Sequence, residues 1–437
     1  MDKKCNYYTI SLSDTKSIIF LPNSIDYFIV QNNVLEILSK INSGVAFEEL
    51  TDQYSISRNW FDKISARLAF QQNSLSWDEK RLSRLVINIS NDCNMRCKYC
   101  FANHGTYNQS QRLMSDELLI ETLNNFYTLF PQIDIIQLFG GEPFLNERAI
   151  EICCEYVNKH NYNTRTGVVT NGSLLTQNII WLIKKYKINI TVSIDIELFH
   201  DELRPFISDK PSYGLIKKNI QLMQSETNEP SLLEFTYTKV HDSKKITVIS
   251  ILKELKDNFG EIPVHIAPAS GCEARYTLED KSQISDSIHD IFKANRNGER
   301  YSLTFINSFL FSLKNRNGNK GFCTAGFATY SVSVNGDIFP CFHFIDNDAF
   351  KIANVYDKFD LLKKSILIAK EKYYHFDKSN ILKCQNCDAR KICRGCLGAN
   401  FTDTNNAFVC SNSHCEFVKK SLHNILYEIG CTELAQY

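Results

Sequence analysis

The chain has 437 residues, with 49 basic and 49 acidic side chains and no formal net charge. That length exceeds one ordinary domain and calls for two or three. Balanced charge without a basic block gives no sign of a nucleic-acid or membrane-surface binder. No apolar run is long enough to span a bilayer, and the charged start Met1-Asp2-Lys3-Lys4-Cys5-Asn6 lacks an apolar signal core. A cytoplasmic location, without membrane or nucleic-acid partners, is expected. The 16 cysteines are many for a reducing compartment, where clustered thiols bind metal or do redox chemistry. Cys93, Cys97 and Cys100 form one group, and eight more lie between 323 and 415. Cys5, Cys153, Cys154, Cys272 and Cys431 are scattered and read as packing cysteines.

Residues 1–78 read as a small module. Tyr7–Ser11 and Ser17–Leu21 have strand character. Val34, Ile37, Leu38 and Ile41 recur at helical spacing, with Gly44 as a stop. A second helix covers Phe47–Thr51, and a third starts after Ser57, a plausible N-cap. Two or three strands with three helices suit a winged-helix-like fold.

From 82 to 300, strand-like and helix-like segments alternate, the pattern of a parallel sheet covered by helices. Strands are expected at 84–90, 133–139, 166–170, 188–195, 231–239 and 263–268. Helices are expected at 115–130, 146–160, 175–186, 212–225, 244–258 and 278–295. Six such units make a partial (β/α)6 barrel, whose chemistry sits at the carboxyl ends of its strands. Four motifs fall there. The first is Cys93-Asn94-Met95-Arg96-Cys97-Lys98-Tyr99-Cys100, a C-x3-C-x2-C loop. Three thiolates can ligate three irons of a cubane and leave the fourth open; a zinc loop is the alternative, with His104 the local candidate for a fourth ligand. The second is Phe139-Gly140-Gly141-Glu142-Pro143, whose glycines allow close backbone approach. The third is Thr170-Asn171-Gly172-Ser173. The fourth is Ser193-Ile194-Asp195, where alternation puts Ser193 and Asp195 on one face, continuing to His200-Asp201-Glu202-Leu203-Arg204-Pro205.

In this order, on these elements, the motifs resemble the radical S-adenosylmethionine (radical SAM) superfamily. The resemblance implies a [4Fe–4S] cluster on Cys93, Cys97 and Cys100 that binds S-adenosylmethionine at its open iron. The cluster cleaves it to a 5′-deoxyadenosyl radical, which abstracts a substrate hydrogen. It further implies that Tyr99, Gly140 and Asn171 belong to the cofactor site, and that Gly141 and Glu142 hold the methionyl ammonium. Ser193 and Asp195 would face the ribose or methionine, and Arg204 the carboxylate. Ile196 departs from the peptide-modifying subset, which usually has Gly there, and an altered turn is expected.

The segment 301–321 bridges to a cysteine-rich end, 322–437. Its C-x12-G-x4-C opening runs from Cys323 through Gly336 to Cys341. It continues as Cys384-x2-Cys387-x5-Cys393-x2-Cys396, with Cys410 and Cys415 beyond. This resembles the SPASM auxiliary-cluster domain, and zinc ribbons are the alternative. The resemblance implies two further [4Fe–4S] clusters, three in all. Cluster I would use Cys323, Cys341 and Cys396, its fourth ligand open between Cys410, Cys272, a non-cysteine group or none. Cluster II would use Cys384, Cys387 and Cys393 with Cys415, or Cys410 as its rival or an extra ligand. His343 can hydrogen-bond a cluster sulfur or be a packing histidine. Cys272 can donate a hydrogen atom or be a plain loop cysteine. The N-terminal module resembles the PqqD-like peptide-recognition domain of maturases of ribosomally made peptides, which pairs a leader peptide with a strand edge. The expected function is radical modification of a precursor peptide whose leader binds residues 1–78, by a thioether or C–C crosslink. A flavodoxin or ferredoxin would act as reductant. The alternatives are a peptide epimerase, an anaerobic sulfatase-type maturase and a non-catalytic leader-binding partner.

Overall fold

The computed structural model describes residues 7–70, 78–319, 321–345 and 347–435. Cys5, Lys320 of the bridging segment and the end of the N-terminal module at 71–77 lie outside them. The module begins with β1 (Tyr8–Ser11), β2 (Lys16–Leu21) and β3 (Asp26–Gln31), an antiparallel sheet in that order. Helices α1 (Leu35–Ser43), α2 (Phe47–Tyr54) and α3 (Arg58–Ala69) follow. Gly44 ends α1 at φ +90°, a left-handed C-cap. The Ser57 side chain accepts from the Trp60 amide at the start of α3. Ile19, Leu21, Leu38 and Leu50 close the module's own core. β3, with its unbroken Tyr-Phe-Ile-Val run, was not located by alternation. Its Tyr27, Phe28, Ile29 and Val30 are all half-buried, so neither face stands out.

Strands β4 (Arg81–Leu82) and β6 (Gln132–Ile133) form a short side pair. The main sheet holds β5 (Arg84–Ser90), β7 (Ile135–Gly140), β8 (Arg165–Thr170), β9 (Asn189–Ser193), β10 (Leu232–Tyr237) and β11 (Val264–Pro268). All six pair in parallel in chain order. Helices α4 (Asp116–Leu129), α5 (Glu147–Lys159), α6 (Gln177–Tyr186), α7 (Glu197–Leu203), α8 (Tyr213–Thr227), α9 (Lys239–Ser243) and α10 (Val248–Phe259) connect them. They are followed by α11 (Ser282–Arg296) and α12 (Thr304–Asn315). The crossovers are helical because parallel neighbours cannot be joined by a tight turn. Leu85, Val86, Ile87 and Ile89 are fully buried along β5; each such side chain contributes about 1.5–3 kcal/mol.

The sheet does not end with the six units. β12 (Thr329–Val332) runs parallel to β5, and β13 (Asp337–Phe339) and β14 (Ala353–Asn354) extend the sheet to nine strands. The cysteine-rich segment is thereby joined to the barrel through backbone pairing. Gly336, at φ +82°, turns the β12–β13 hairpin. Helices α13 (Phe359–Tyr374), α14 (Leu382–Gln385), α15 (Leu397–Thr404) and α16 (Asn412–Leu434) complete the chain. The last packs along α11 and touches β1 and β2. There Tyr8 Oη meets His423 Nδ1 at 2.8 Å, and Leu12 lies against Gly430, where any side chain would collide with it. Asp26 pairs with Arg67 of α3 and with Arg316. Among the described residues no helix is long and apolar enough to cross a membrane.

Candidate active site

The cysteine loop leaves β5 at Ser90 and is held from both sides. Asp92 Oδ1 accepts from the Cys93 amide at 2.8 Å and from Gln111 Nε2 at 3.1 Å. The run after α7 is stitched antiparallel to the loop. Arg96 N donates to Pro205 O, Lys98 N to Leu203 O and Ile207 N to Asn94 O, at 2.8–3.1 Å. The sequence displays that run as a motif; its structural work is this backbone clamp. All three thiols line one cavity of about 670 Å³ within the barrel. Burial raises the Cys93 pKa, with Glu142 and Cys97 adding to it. Burial also raises that of Cys97, with Arg204 opposing. As thiolates the three would repel one another, and a cationic partner relieves that.

The glycine pair explains why the loop can close. A Cβ on Gly140 would stand 2.1 Å from Ser90 O, and one on Gly141 would stand 2.3 Å from Asp92 O. Gly105, at φ +89°, would meet the Gly141 Cα at 2.6 Å. Glu142 sits at the junction of the second and third loops. It is fully buried and is not among the cavity-lining residues. Oε1 accepts from the Phe144 amide at 2.9 Å and the Thr170 hydroxyl at 2.6 Å, and Oε2 accepts from the Asn171 amide at 2.7 Å. Burial raises its pKa and these three bonds oppose the rise. Through these three bonds the carboxylate latches the second loop to the third.

Asn171 does line the cavity. Its Nδ2 donates to Asn94 Oδ1 at 2.9 Å and lies 3.8 Å from Cys93 Sγ. Asn94 Nδ2 in turn donates to Ser173 Oγ. Tyr99, Gly140, Gly141, Ser193 and Arg204 line the same cavity. Arg204 Nη1 donates to Tyr99 Oη at 2.9 Å and Nη2 to Ser193 O at 3.0 Å, while its buried Nε has no partner. Asp195 departs from expectation. β9 ends at Ser193, and Asp195 is buried behind the wall instead of lining it. Its Oδ1 meets His241 Nε2 at 3.0 Å and accepts from the Ile196 amide, and Oδ2 has no partner. Ile196 sits at φ −68°, an ordinary backbone angle, so the missing glycine imposes no strain.

Phe139, the first residue of the glycine motif, lines the cavity too, and other lining residues were not singled out from the sequence: Arg84, Gln137, Arg165, Glu234 and His265, with Phe342. The polar ones alternate along strands that ought to be apolar inside, and that was a readable signal. Phe342 stacks at a tilt against Phe139 and Phe101. Burial lowers the Arg84 pKa; Cys341 opposes this and Arg165 adds to it. His343 lines the cavity beside Phe101, and burial pulls its pKa down to about 4. Cys272 is not a lining residue, and its Sγ lies 3.5 Å from Thr277 Oγ1. His104 lines the cavity.

The later cysteines gather in two places. Cys384, Cys387, Cys393, Cys410 and Cys415 line one small pocket. Cys384 and Cys410 Sγ are 3.8 Å apart, and a hydrogen bond from Cys410 lowers the Cys415 pKa. Buried Lys378 donates to Cys393 O beside that pocket. Cys323, Cys341 and Cys396 form the second group, close enough to act on one another electrostatically. No three His, Cys, Asp or Glu among the described residues converge to hold a single metal ion. A cubane takes one thiolate per iron and does not need such convergence. The loop residues fit a cluster with a bound small molecule: three thiols face one cavity, the glycines leave room, and Arg204 keeps a buried donor unused.

Residues 87–238 match the radical SAM superfamily model. The chain carries a radical SAM domain. It is 24% identical over 379 residues to a cysteine-type anaerobic sulfatase-maturating enzyme of Clostridium novyi, which covers 80% of this chain and 97% of that protein. The fold resembles anSMEcpe with bound AdoMet at a TM-score of 0.66 and 18% identity, covering 81% of this chain and 98% of that one. It also resembles Streptococcus suis SuiB bound to precursor peptide SuiA at a TM-score of 0.55 and 16% identity, covering 94% and 98%.

Proposed function

We propose that this chain is a radical SAM enzyme that modifies a ribosomally made precursor peptide by forming an intramolecular crosslink. The observation that carries the reading is the N-terminal module, present in addition to the barrel and the cysteine-rich end. β3 is one of the two outer strands of its sheet among the described residues, and the other, β1, is touched by α16. α3 lies beside it, with the Arg67 guanidinium over the Phe28 ring at 4.4 Å. An exposed strand edge next to a helix is suited to adding a peptide strand. The likeness to SuiB, which extends over 94% of this chain, supports the same reading.

Cys93, Cys97 and Cys100 would hold a [4Fe–4S] cluster. With S-adenosylmethionine bound, that group supplies a carbon radical that removes a hydrogen atom from the substrate. Arg204, fixed by Tyr99, offers its free Nε to a carboxylate. Asn171 orients the loop through Asn94. The aromatic wall of Phe101, Phe139 and Phe342 keeps water from the radical's surroundings. The two C-terminal thiol groups, Cys323/Cys341/Cys396 and Cys384/Cys387/Cys393 with Cys410 or Cys415, would hold two auxiliary clusters, which supply an electron path.

A crosslink is favoured over epimerisation because the thiol considered as a hydrogen-atom donor, Cys272, lies against Thr277 Oγ1 at 3.5 Å. The test is anaerobic reconstitution with S-adenosylmethionine, dithionite and peptides encoded by small reading frames beside this coding sequence. A peptide mass loss of two hydrogens supports the crosslink. An unchanged mass, with deuterium gained in heavy water, means epimerisation. Absence of 5′-deoxyadenosine means a binding protein.

A further inference from the structure

The floor of the barrel cavity is cationic. Arg84 opens β5 and Arg165 opens β8, and both line the cavity. The register pairs Leu85 with Ile136 and Ile135 with Arg165. Arg84, Ile135 and Arg165 therefore stand in one row across three adjacent strands. Strands are spaced about 4.8 Å apart, so the two arginines are separated by about 10 Å at the backbone. Their side chains are long enough to close on one group. Both keep accessible surface as residues and line the cavity. Among the described residues neither guanidinium has a carboxylate or other hydrogen-bond partner. The cavity's own carboxylate, Glu234, pairs in register with Ser193 and His265 at the other wall. Barrel interiors are ordinarily filled by Val, Ile and Leu. Two guanidinium forks without a hydrogen-bond partner in that place, of which Arg84 also feels the Cys341 thiol, suit a planar anion held bidentately.

We propose that Arg84 and Arg165 form a carboxylate-binding subsite that takes an acidic side chain of the substrate peptide. This rests on the peptide-modification reading above. Along β5, Arg84 lies six residues before Ser90, where the cysteine loop begins. That is about 20 Å of strand, which an extended peptide spans in about six residues. The acidic residue therefore lies within about six positions of the residue that is modified.

The probe is a dansylated, C-terminally amidated peptide, Gly-Glu-Ala-Gly-Glu-Gly, with its Gln counterpart. Binding is read by fluorescence anisotropy on the anaerobically reconstituted full chain. The Glu peptide is expected to bind about tenfold tighter or more, the scale of a charge-assisted contact. The preference disappears in the Arg84→Gln/Arg165→Gln double variant. It turns toward a Lys peptide in Arg84→Glu/Arg165→Glu. The Gln peptide with a free C-terminus separates the sources: tight binding of that form alone assigns the subsite to a terminal carboxylate and overturns the side-chain proposal. Equal binding of the amidated Glu and Gln peptides, or a preference that survives the double variant, overturns it as well. If the preference holds but no peptide changes mass, the maturation reading fails and the subsite stands.

Discussion

Arg204 donates to the Tyr99 hydroxyl at 2.9 Å, so the end of the α7 run and the tip of the cysteine loop are tied by one buried bond. The same guanidinium reaches Ser193 O and leaves Nε free. Arg204→Gln strips the partners from Tyr99 and Ser193. It is expected to lower stability by about 1–3 kcal/mol and to weaken S-adenosylmethionine binding while iron content is retained. Urea unfolding, iron analysis and calorimetric titration check this. Unchanged cofactor affinity would give the residue a structural role only.

Glu142 accepts three hydrogen bonds from two different loops. In Glu142→Gln one acceptor becomes a donor and faces a bonded N–H or O–H. A cost of about 1–3 kcal/mol is expected, with slower cluster reconstitution. Gly141→Ala, which places a methyl 2.3 Å from Asp92 O, is expected to lose the loop cluster altogether. Iron and sulfide content per chain distinguish these outcomes from wild-type loading.

Successive residues of an antiparallel edge strand alternate in which side their N–H faces. Of Phe28→Pro and Ile29→Pro, one therefore removes an outward donor from β3. That variant is expected to slow peptide processing while uncoupled 5′-deoxyadenosine formation continues. Mass spectrometry of the peptide, with chromatography of the nucleoside, reads both. Equal loss of the two activities would mean that the module only braces α16.

His200 is buried, its Nδ1 accepting from the Asp195 amide at 3.1 Å. Burial pulls its pKa down from 6.5 to about 3. The unfolded chain therefore binds the extra proton between those values, and stability falls as pH drops below about 6.5. From this group alone the loss between pH 7 and pH 5 is roughly 2 kcal/mol. His200→Gln is expected to flatten that acid slope in urea unfolding; an identical slope would contradict the assignment.

Much of this was legible in the sequence, for identifiable reasons. The six strands and their helices stood out because buried parallel strands and amphipathic helices have separate periods. The cysteine loop and the glycine pair were visible because few other residues fit there. The contacts of Glu142 and Asp195 were not legible, since a motif carboxylate advertises a ligand while only packing shows where its oxygens point. β12 was missed although Asn335-Gly336 is a hairpin signal, because the segment was read for its thiols and its alternation was overlooked. Arg84 and Arg165 were invisible as a pair: they are 81 residues apart and meet only through the register of β7.

The central claim is peptide modification by radical chemistry, and one measurement tests it most directly. The reconstituted chain and its Cys97→Ala variant are incubated anaerobically with S-adenosylmethionine, dithionite and the neighbouring precursor peptides, and peptide masses are read at high resolution. A peptide two hydrogens lighter with the wild type, unchanged with Cys97→Ala, is the predicted result. No mass change in any peptide in light or heavy water, while 5′-deoxyadenosine accumulates, would contradict it.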